Sequence, residues 1–95
     1  MRLTNKVALV TGAGSGFGEG IAKRFAAEGA CVLVNDIAVE AGRRVTEEIQ
    51  ASGGKASFAA GDVARGDDVA GLLAAALDAF GALDIVVNNA GISHR

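Results

Sequence analysis

The chain has 95 residues, with nine Lys and Arg against eleven Asp and Glu and a formal net charge of −2 at pH 7. This length holds one small domain or part of one and excludes a two-domain enzyme. Hydrophobic residues at 51% and charged residues at 21% exclude a disordered chain, and the weakly acidic balance gives no electrostatic basis for nucleic acid or an anionic membrane as partner.

Cys31 is the single cysteine; it has no internal disulfide partner and fits a reducing compartment. The opening Met1-Arg2-Leu3-Thr4-Asn5-Lys6 lacks the apolar core of a signal peptide, and no run approaches membrane-spanning length. A cytoplasmic protein is expected. Proline, tyrosine and tryptophan are absent, so no mechanism that uses a tyrosine phenol can be carried by this chain alone.

Lys6 to Thr11 is a short, almost wholly apolar run, as expected of a strand buried on both faces. A glycine cluster follows, and then Ile21, Ala22, Phe25 and Ala26 recur at helical spacing until Gly29. Ala30 to Asn35 is a second buried-strand run, closed by Asp36, and within it Cys31 reads as a small buried apolar residue. Ala41, Val45 and Ile49 mark one face of a second helix, stopped by Gly53-Gly54. Lys55 to Gly61 is a strand carried mainly by Phe58, ending at Asp62-Val63.

The third helix has the clearest period, with Val69, Leu72, Leu73, Ala76, Leu77 and Phe80 at steps of three and four. Asp67 and Asp68 in its first turn suit the positive end of the helix dipole, and Gly81 supplies its stop. Leu83 to Val87 is a fourth apolar strand, followed by Asn88-Asn89-Ala90-Gly91. The order β-α-β-α-β-α-β predicts an α/β fold with a parallel sheet and right-handed crossovers. With the third helix returning across the opposite face, the expected strand order is 3-2-1-4.

The chemistry lies at the strand ends. Thr11-Gly12-Ala13-Gly14-Ser15-Gly16-Phe17-Gly18 joins the first strand to the first helix. Glycines let the backbone approach a ligand, and the helix start aims unpaired N–H groups and a partial positive charge at it, which suits a pyrophosphate. No Lys-Ser/Thr ending marks a nucleoside-triphosphate loop, and no register gives G-x-G-x-x-G, because Phe17 and Glu19 stand where the third glycine is needed.

Asp36 ends the second strand on the same sheet edge, where a carboxylate accepts both ribose hydroxyls of an adenosine and repels a 2′-phosphate. Its alternative role is an N-cap for the second helix. Arg43 and Arg44 lie two turns into that helix and read as a solvated face rather than as ligands of a 2′-phosphate. Asp62 closes the third strand, positioned to accept from the adenine amino group while Val63 packs on the ring; the alternative is a plain chain reversal. The amides of Asn88 and Asn89 suit tying strand ends together, and Ala90 and Gly91 leave room for a ligand near the backbone.

These residues resemble the short-chain dehydrogenase/reductase family. Its T-G-x-x-x-G-x-G signature is matched by Thr11, Gly12, Gly16 and Gly18, and its N-N-A-G motif by Asn88 to Gly91. The resemblance covers the whole chain and implies a Rossmann-type doubly wound sheet, here in part. Residues 1–95 then read as the N-terminal part of a single NAD(P)-binding domain, with no second domain.

By that resemblance the backbone around Ser15, Gly16, Phe17 and Gly18 holds the pyrophosphate, with Gly12 a cofactor-binding glycine of the same loop. Asp36 takes the adenosine ribose, implying NAD over NADP. Asp62 and Val63 hold adenine, and Asn89, Ala90 and Gly91 flank the nicotinamide-side ribose. Phe17 departs from the family's Ile, a packing change that leaves the backbone donor intact.

The family's catalytic Ser, Tyr and Lys come after the fourth strand, and no catalytic residue or metal ligand is assigned within this chain; Ser93 and His94 are not candidates. The resemblance therefore implies an NAD-dependent oxidoreductase interconverting an alcohol and a ketone, represented by an inactive cofactor-binding fragment. Its small-molecule substrate belongs to the full-length enzyme. The alternatives are a non-catalytic dinucleotide-binding module or a fragment of an adenosylmethionine-dependent methyltransferase. That fold wants an acid just before the glycine loop, where Val10-Thr11 stand, and a proline motif after its fourth strand. One helix on the second face and an open fourth strand also predict weak folding, self-association or dependence on a partner.

Overall fold

A computed structural model describes residues 3–89. Ala90 and Gly91 lie outside the described residues, as do Ser93 and His94. The elements alternate as expected: β1 Val7–Thr11, α1 Gly16–Ala27, β2 Cys31–Asp36, α2 Val39–Ala51, β3 Lys55–Ala60, α3 Gly66–Phe80 and β4 Ile85–Asn88. All strand pairs are parallel and the sheet order is β3-β2-β1-β4, the order expected for right-handed crossovers on both faces.

The two central strands are apolar because both of their faces are covered. Val10, Val32 and Val34 point to one side, where they pack with Ala22 and Ala26 of α1 and Val45 and Ile49 of α2. Leu9 and Leu33 point to the other, against Leu72 and Ala76 of α3. Burying each such Val or Leu side chain contributes about 1.5–3 kcal/mol. Phe58 on β3 reaches α2 at Gly42, where an added Cβ would lie 2.1 Å from the ring. That close approach explains how so short an aromatic patch anchors an edge strand.

Gly29, Gly53 and Gly81 have φ of 100°, 91° and 78°, the left-handed region that ends a helix at little cost for glycine. Boundaries shift by a residue or two from the sequence reading. β1 starts at Val7, β2 runs from Cys31 into Asp36, and β3 stops at Ala60. β4 starts at Ile85 rather than Leu83; just before it, the Asp84 N–H donates to the Val7 carbonyl and its side chain accepts the Val7 N–H, both at 2.8 Å.

The expected burial of Cys31 needs correction, and other apolar positions are less covered than the two central strands. Cys31 is half-buried, since it opens β2 at the sheet's lower rim. The edge strands β3 and β4 are only half-covered. On α3, Leu72 and Ala76 are buried but Leu73 and Leu77 are exposed, at 41% and 55%. Leu72 and Ala76 face the sheet, and Leu73 and Leu77 lie about 100° and 140° round the helix from Leu72, off that buried stripe. Val86 on β4, beside Leu9, is 56% exposed.

Four charges join α1 to α2. Glu19 accepts from Lys23 Nζ at 2.8 Å and from Arg44 at 3.0 Å, and Glu48 accepts from the same two cations. The Arg44 and then the Lys23 hydrogen bonds lower the Glu19 carboxyl from 4.5 to about 2, and the same cations lower Glu48. A carboxylate with a depressed folded-state pKa adds stability above its unfolded value and loses it as pH falls toward the folded one. The melting-temperature gap between the protein and a Glu19→Gln variant is therefore expected to be a few degrees above pH 5. It closes between pH 4.5 and about 2 and shrinks in 0.5 M salt, read by circular dichroism melts. A gap that widens on acidification contradicts the ion-pair origin.

Candidate functional site

The C-terminal tips of the four strands meet along one sheet edge, and side chains that strand periodicity does not predict tie them together. Thr11 Oγ1 contacts the Val87 carbonyl at 3.3 Å and Asn88 Oδ1 at 3.2 Å, joining β1 to β4. Asn89 Nδ2 donates to the Gly12 carbonyl at 3.1 Å. Asn35, fully buried in β2, donates to the Ala59 and Gly61 carbonyls at 3.1 and 3.2 Å, while its own carbonyl accepts the Ala13 N–H at 2.7 Å. The glycine loop is thereby held from both sides. Asn35 was missed in the sequence; its signal is a polar residue inside an otherwise apolar buried strand.

Within the loop, Gly12 and Gly16 have φ of 60° and 59°, a conformation that glycine adopts without a Cβ penalty. Ser15 is the N-cap of α1 with extended backbone and no side-chain cap bond. The N–H groups of Ser15, Gly16, Phe17 and Gly18 are thus the four that an α-helix leaves without an intrahelical partner, at the positive end of its dipole. An added Cβ at Gly18 would lie 2.1 Å from the Gly12 carbonyl oxygen and 2.8 Å from Asn89 Nδ2. The helix start, the loop and the β4 tip close on one another there. Phe17 is 74% exposed, so the expected packing change is instead an unpacked ring at the helix entrance.

Asp36 does not cap α2. The N-cap is Ala38; Asp36 Oδ1 accepts the Ala38 N–H at 2.9 Å and Oδ2 accepts the Gly14 N–H at 2.8 Å. The carboxylate is fixed against the glycine loop, and each oxygen keeps a further lone pair for a donor. Ile37, next in the chain, is 67% exposed, an apolar surface beside that carboxylate that the sequence reading did not single out.

Arg44 is more than a solvated face. It reaches back to the loop, and its Nη2 donates to the Gly14 carbonyl at 3.2 Å. Asp62 makes the reversal after β3, with Oδ1 accepting the Ala64 N–H at 2.9 Å and its own N–H donating to Asp68 Oδ2 at 2.8 Å. Val63 is half-buried against the α3 core. Asp62 and Val63 stand at the same edge, and the Asp62 bonds run to Ala64 and Asp68 rather than to the glycine loop. Ala90 and Gly91 are not placed.

The residues present fit a dinucleotide on two observations. Gly18 lets the helix start close onto the Gly12 carbonyl and Asn89, which sets the N–H groups of Ser15 to Gly18, without intrahelical partners, at the strand-tip edge where an anion binds. Asn89 Oδ1 is buried and unpartnered, an acceptor left over beside the loop that calls for a donor. A separate cavity of about 390 Å³, lined by Lys23, Ala26, Ile49 and Gly54 among others, lies near the start of β3, away from these groups.

A parallel 3-2-1-4 sheet with a glycine turn after its first strand is a Rossmann-type fold. The short chain dehydrogenase family model matches residues 6–95, and the chain belongs to that family. It is 48% identical over 92 residues to an uncharacterized oxidoreductase of Thermotoga maritima, covering 97% of this chain and 36% of that protein. A short chain dehydrogenase from Mycobacterium avium superposes with a TM-score of 0.92 at 43% identity, over 99% of this chain and 36% of that one. A 7α-hydroxysteroid dehydrogenase complexed with NADH and 7-oxo glycochenodeoxycholic acid gives 0.90 at 41% identity, over 92% and 34%. The chain thus spans about a third of the length of the relatives it matches. These likenesses do not favour the methyltransferase reading or a separate binding module.

Proposed function

We propose that this chain is the cofactor-binding part of a cytoplasmic NAD-dependent alcohol/ketone oxidoreductase and is inactive in hydride transfer by itself. The observation that carries the reading is the Asp36 carboxylate held on the Gly14 N–H at the mouth of the glycine loop. In that position it accepts the two ribose hydroxyls of an adenosine and disfavours a 2′-phosphate. The backbone of Ser15 to Gly18 takes the pyrophosphate, in a loop that opens at Gly12. Asp62 accepts from the adenine amino group, with Val63 and Ile37 offering apolar contact. Asn89, with Ala90 and Gly91, flanks the nicotinamide-side ribose.

When bound, the nicotinamide supplies or accepts the hydride; the chain's own residues bind and orient it. The absence of Tyr leaves the family's phenol acid/base to residues outside this sequence. The NADH complex of the hydroxysteroid dehydrogenase supports the cofactor. Steroid, sugar or polyol, and 3-oxoacyl substrates fit the reading equally.

Titration with NADH and with adenosylmethionine tests it. NADH is expected to bind well below 1 mM, or more than about 4 kcal/mol, with enhanced nucleotide fluorescence and no response to adenosylmethionine. Saturable adenosylmethionine binding without NADH binding would sink the assignment. On its own the chain is also expected to self-associate, because Leu73 and Leu77 on α3 and Val86 on the edge strand β4 are exposed apolar side chains. Sedimentation velocity should show dimers or larger species at micromolar concentration that a Leu73→Lys/Leu77→Lys variant loses; a monodisperse monomer of the unaltered chain refutes this.

A further inference from the structure

The densest charge cluster outside the strand-tip crevice sits on the seam between α1 and α2 and reaches into the glycine loop. Arg44 Nη2 donates to Glu19 Oε1 at 3.0 Å and to the Gly14 carbonyl at 3.2 Å. Its Nη1 meets Glu19 Oε2 at 3.3 Å and the two Glu48 oxygens at 3.2 and 3.1 Å. The same Gly14 gives its N–H to Asp36 Oδ2. One buried residue therefore separates a guanidinium from the carboxylate read as the ribose acceptor.

We propose that Glu19 and Glu48 form a clamp that seats Arg44 on the Gly14 carbonyl and keeps it from the ribose 2′ position, so that preference for NAD over NADP is set by this clamp together with Asp36. The proposal rests on the reading of the crevice as a dinucleotide site. A 2′-phosphate brings two negative charges beside Asp36, and the group best suited to receive it is a planar guanidinium with paired N–H donors. Arg44 is that group, one residue away, on a long side chain that is about half exposed. Its held geometry comes from the two carboxylates, which already satisfy the donors a phosphate would need. Glu19 and Glu48 lie in different helices, so the clamp forms only when α1 and α2 are packed. Lys23 pairs with both carboxylates as well, and it stays one turn further along α1 from the loop.

The test compares NADH and NADPH dissociation constants for the 95-residue chain and its variants at fixed salt. Glu19→Gln/Glu48→Gln is expected to lower the NADH-over-NADPH selectivity about tenfold, chiefly by tightening NADPH. Adding Arg44→Gln to that pair is expected to remove the gain. Glu40→Gln/Glu47→Gln makes the same change in net charge at exposed positions of α2 that take none of the clamp's hydrogen bonds, and it is expected to leave the ratio within about twofold. The single Glu48→Gln variant shows the same direction at smaller size.

Unchanged selectivity in the clamp variants, or a gain that survives Arg44→Gln or appears equally in the Glu40/Glu47 control, overturns the proposal while leaving the dinucleotide site intact. No NADH binding by the unaltered chain overturns the dinucleotide reading, and the clamp with it.

Discussion

Gly18→Ala is expected to abolish NADH binding and to lower the melting temperature by more than 10 °C, measured by fluorescence titration and circular dichroism. In an exposed helix the same change is stabilising by up to about 1 kcal/mol, because alanine is the better helix former. Here the new methyl would lie 2.1 Å from the Gly12 carbonyl oxygen and 2.8 Å from Asn89 Nδ2. Neither neighbour is the free end of a flexible chain: one is backbone, and the other is a buried amide bonded to that backbone. Either α1 lifts off the loop or the loop moves away from β4, and both movements break the Asn89–Gly12 link and scatter the N–H groups of the helix start. Backbone overpacking of this kind costs on the order of 3 kcal/mol or more. Gly20→Ala provides the control. It lies in the same helix with nothing within 4 Å of the added Cβ, so it should raise the melting temperature by several degrees and leave NADH affinity unchanged. Similar effects from the two substitutions would contradict the close packing at Gly18.

Asp36→Ala is expected to weaken NADH binding about 100-fold while leaving NADPH binding unchanged or improved. Two hydrogen bonds from ribose hydroxyls to a carboxylate are worth roughly 1.5 kcal/mol each at the low end of the charged range, and each 1.4 kcal/mol is tenfold. Two backbone donors, at Gly14 and Ala38, lose their acceptor as well, so the loop is less ordered and the loss extends beyond the ribose. Asp36→Asn separates the contributions. It keeps one oxygen for a backbone N–H but loses the negative charge, and it should recover fold stability more than it recovers discrimination against the 2′-phosphate. Equal losses for NADH and NADPH in both variants would reduce Asp36 to a scaffold for the loop.

Local chemistry made the fold and most of the proposed site legible in advance. Apolar runs ended by glycines marked the strands and helices, and a parallel sheet with right-handed crossovers leaves little choice of strand order. The strand tips carrying Gly12, Asp36, Asp62 and Asn89 had to share one edge for the same reason. What stayed hidden depends on partners far apart in sequence. Asn35 is one polar letter in an apolar run, and only the folded chain shows that it holds the β3 tip and the glycine loop together. Arg44 sits 30 positions from Gly14, and a helical wheel places it on the solvent side. Leu73 and Leu77 continue the apolar period of α3, but a period says only that a face is apolar. It does not say how much of that face is covered, and Leu73 and Leu77 are not. Phe17 carries no periodic signal, and its ring stands exposed beside a loop whose function lies in its backbone.

Amide chemical-shift mapping of the isotope-labelled chain during NADH titration tests the central claim most directly, since it locates the ligand without relying on a substitution. The largest shifts are expected to cluster at Gly12 to Gly18, Asp36 and Ile37, Asp62 and Val63, and Asn88 and Asn89, with residues around Lys23, Ile49 and Gly54 unmoved. Shifts centred on that second group, or none at millimolar NADH in a folded sample, would contradict it.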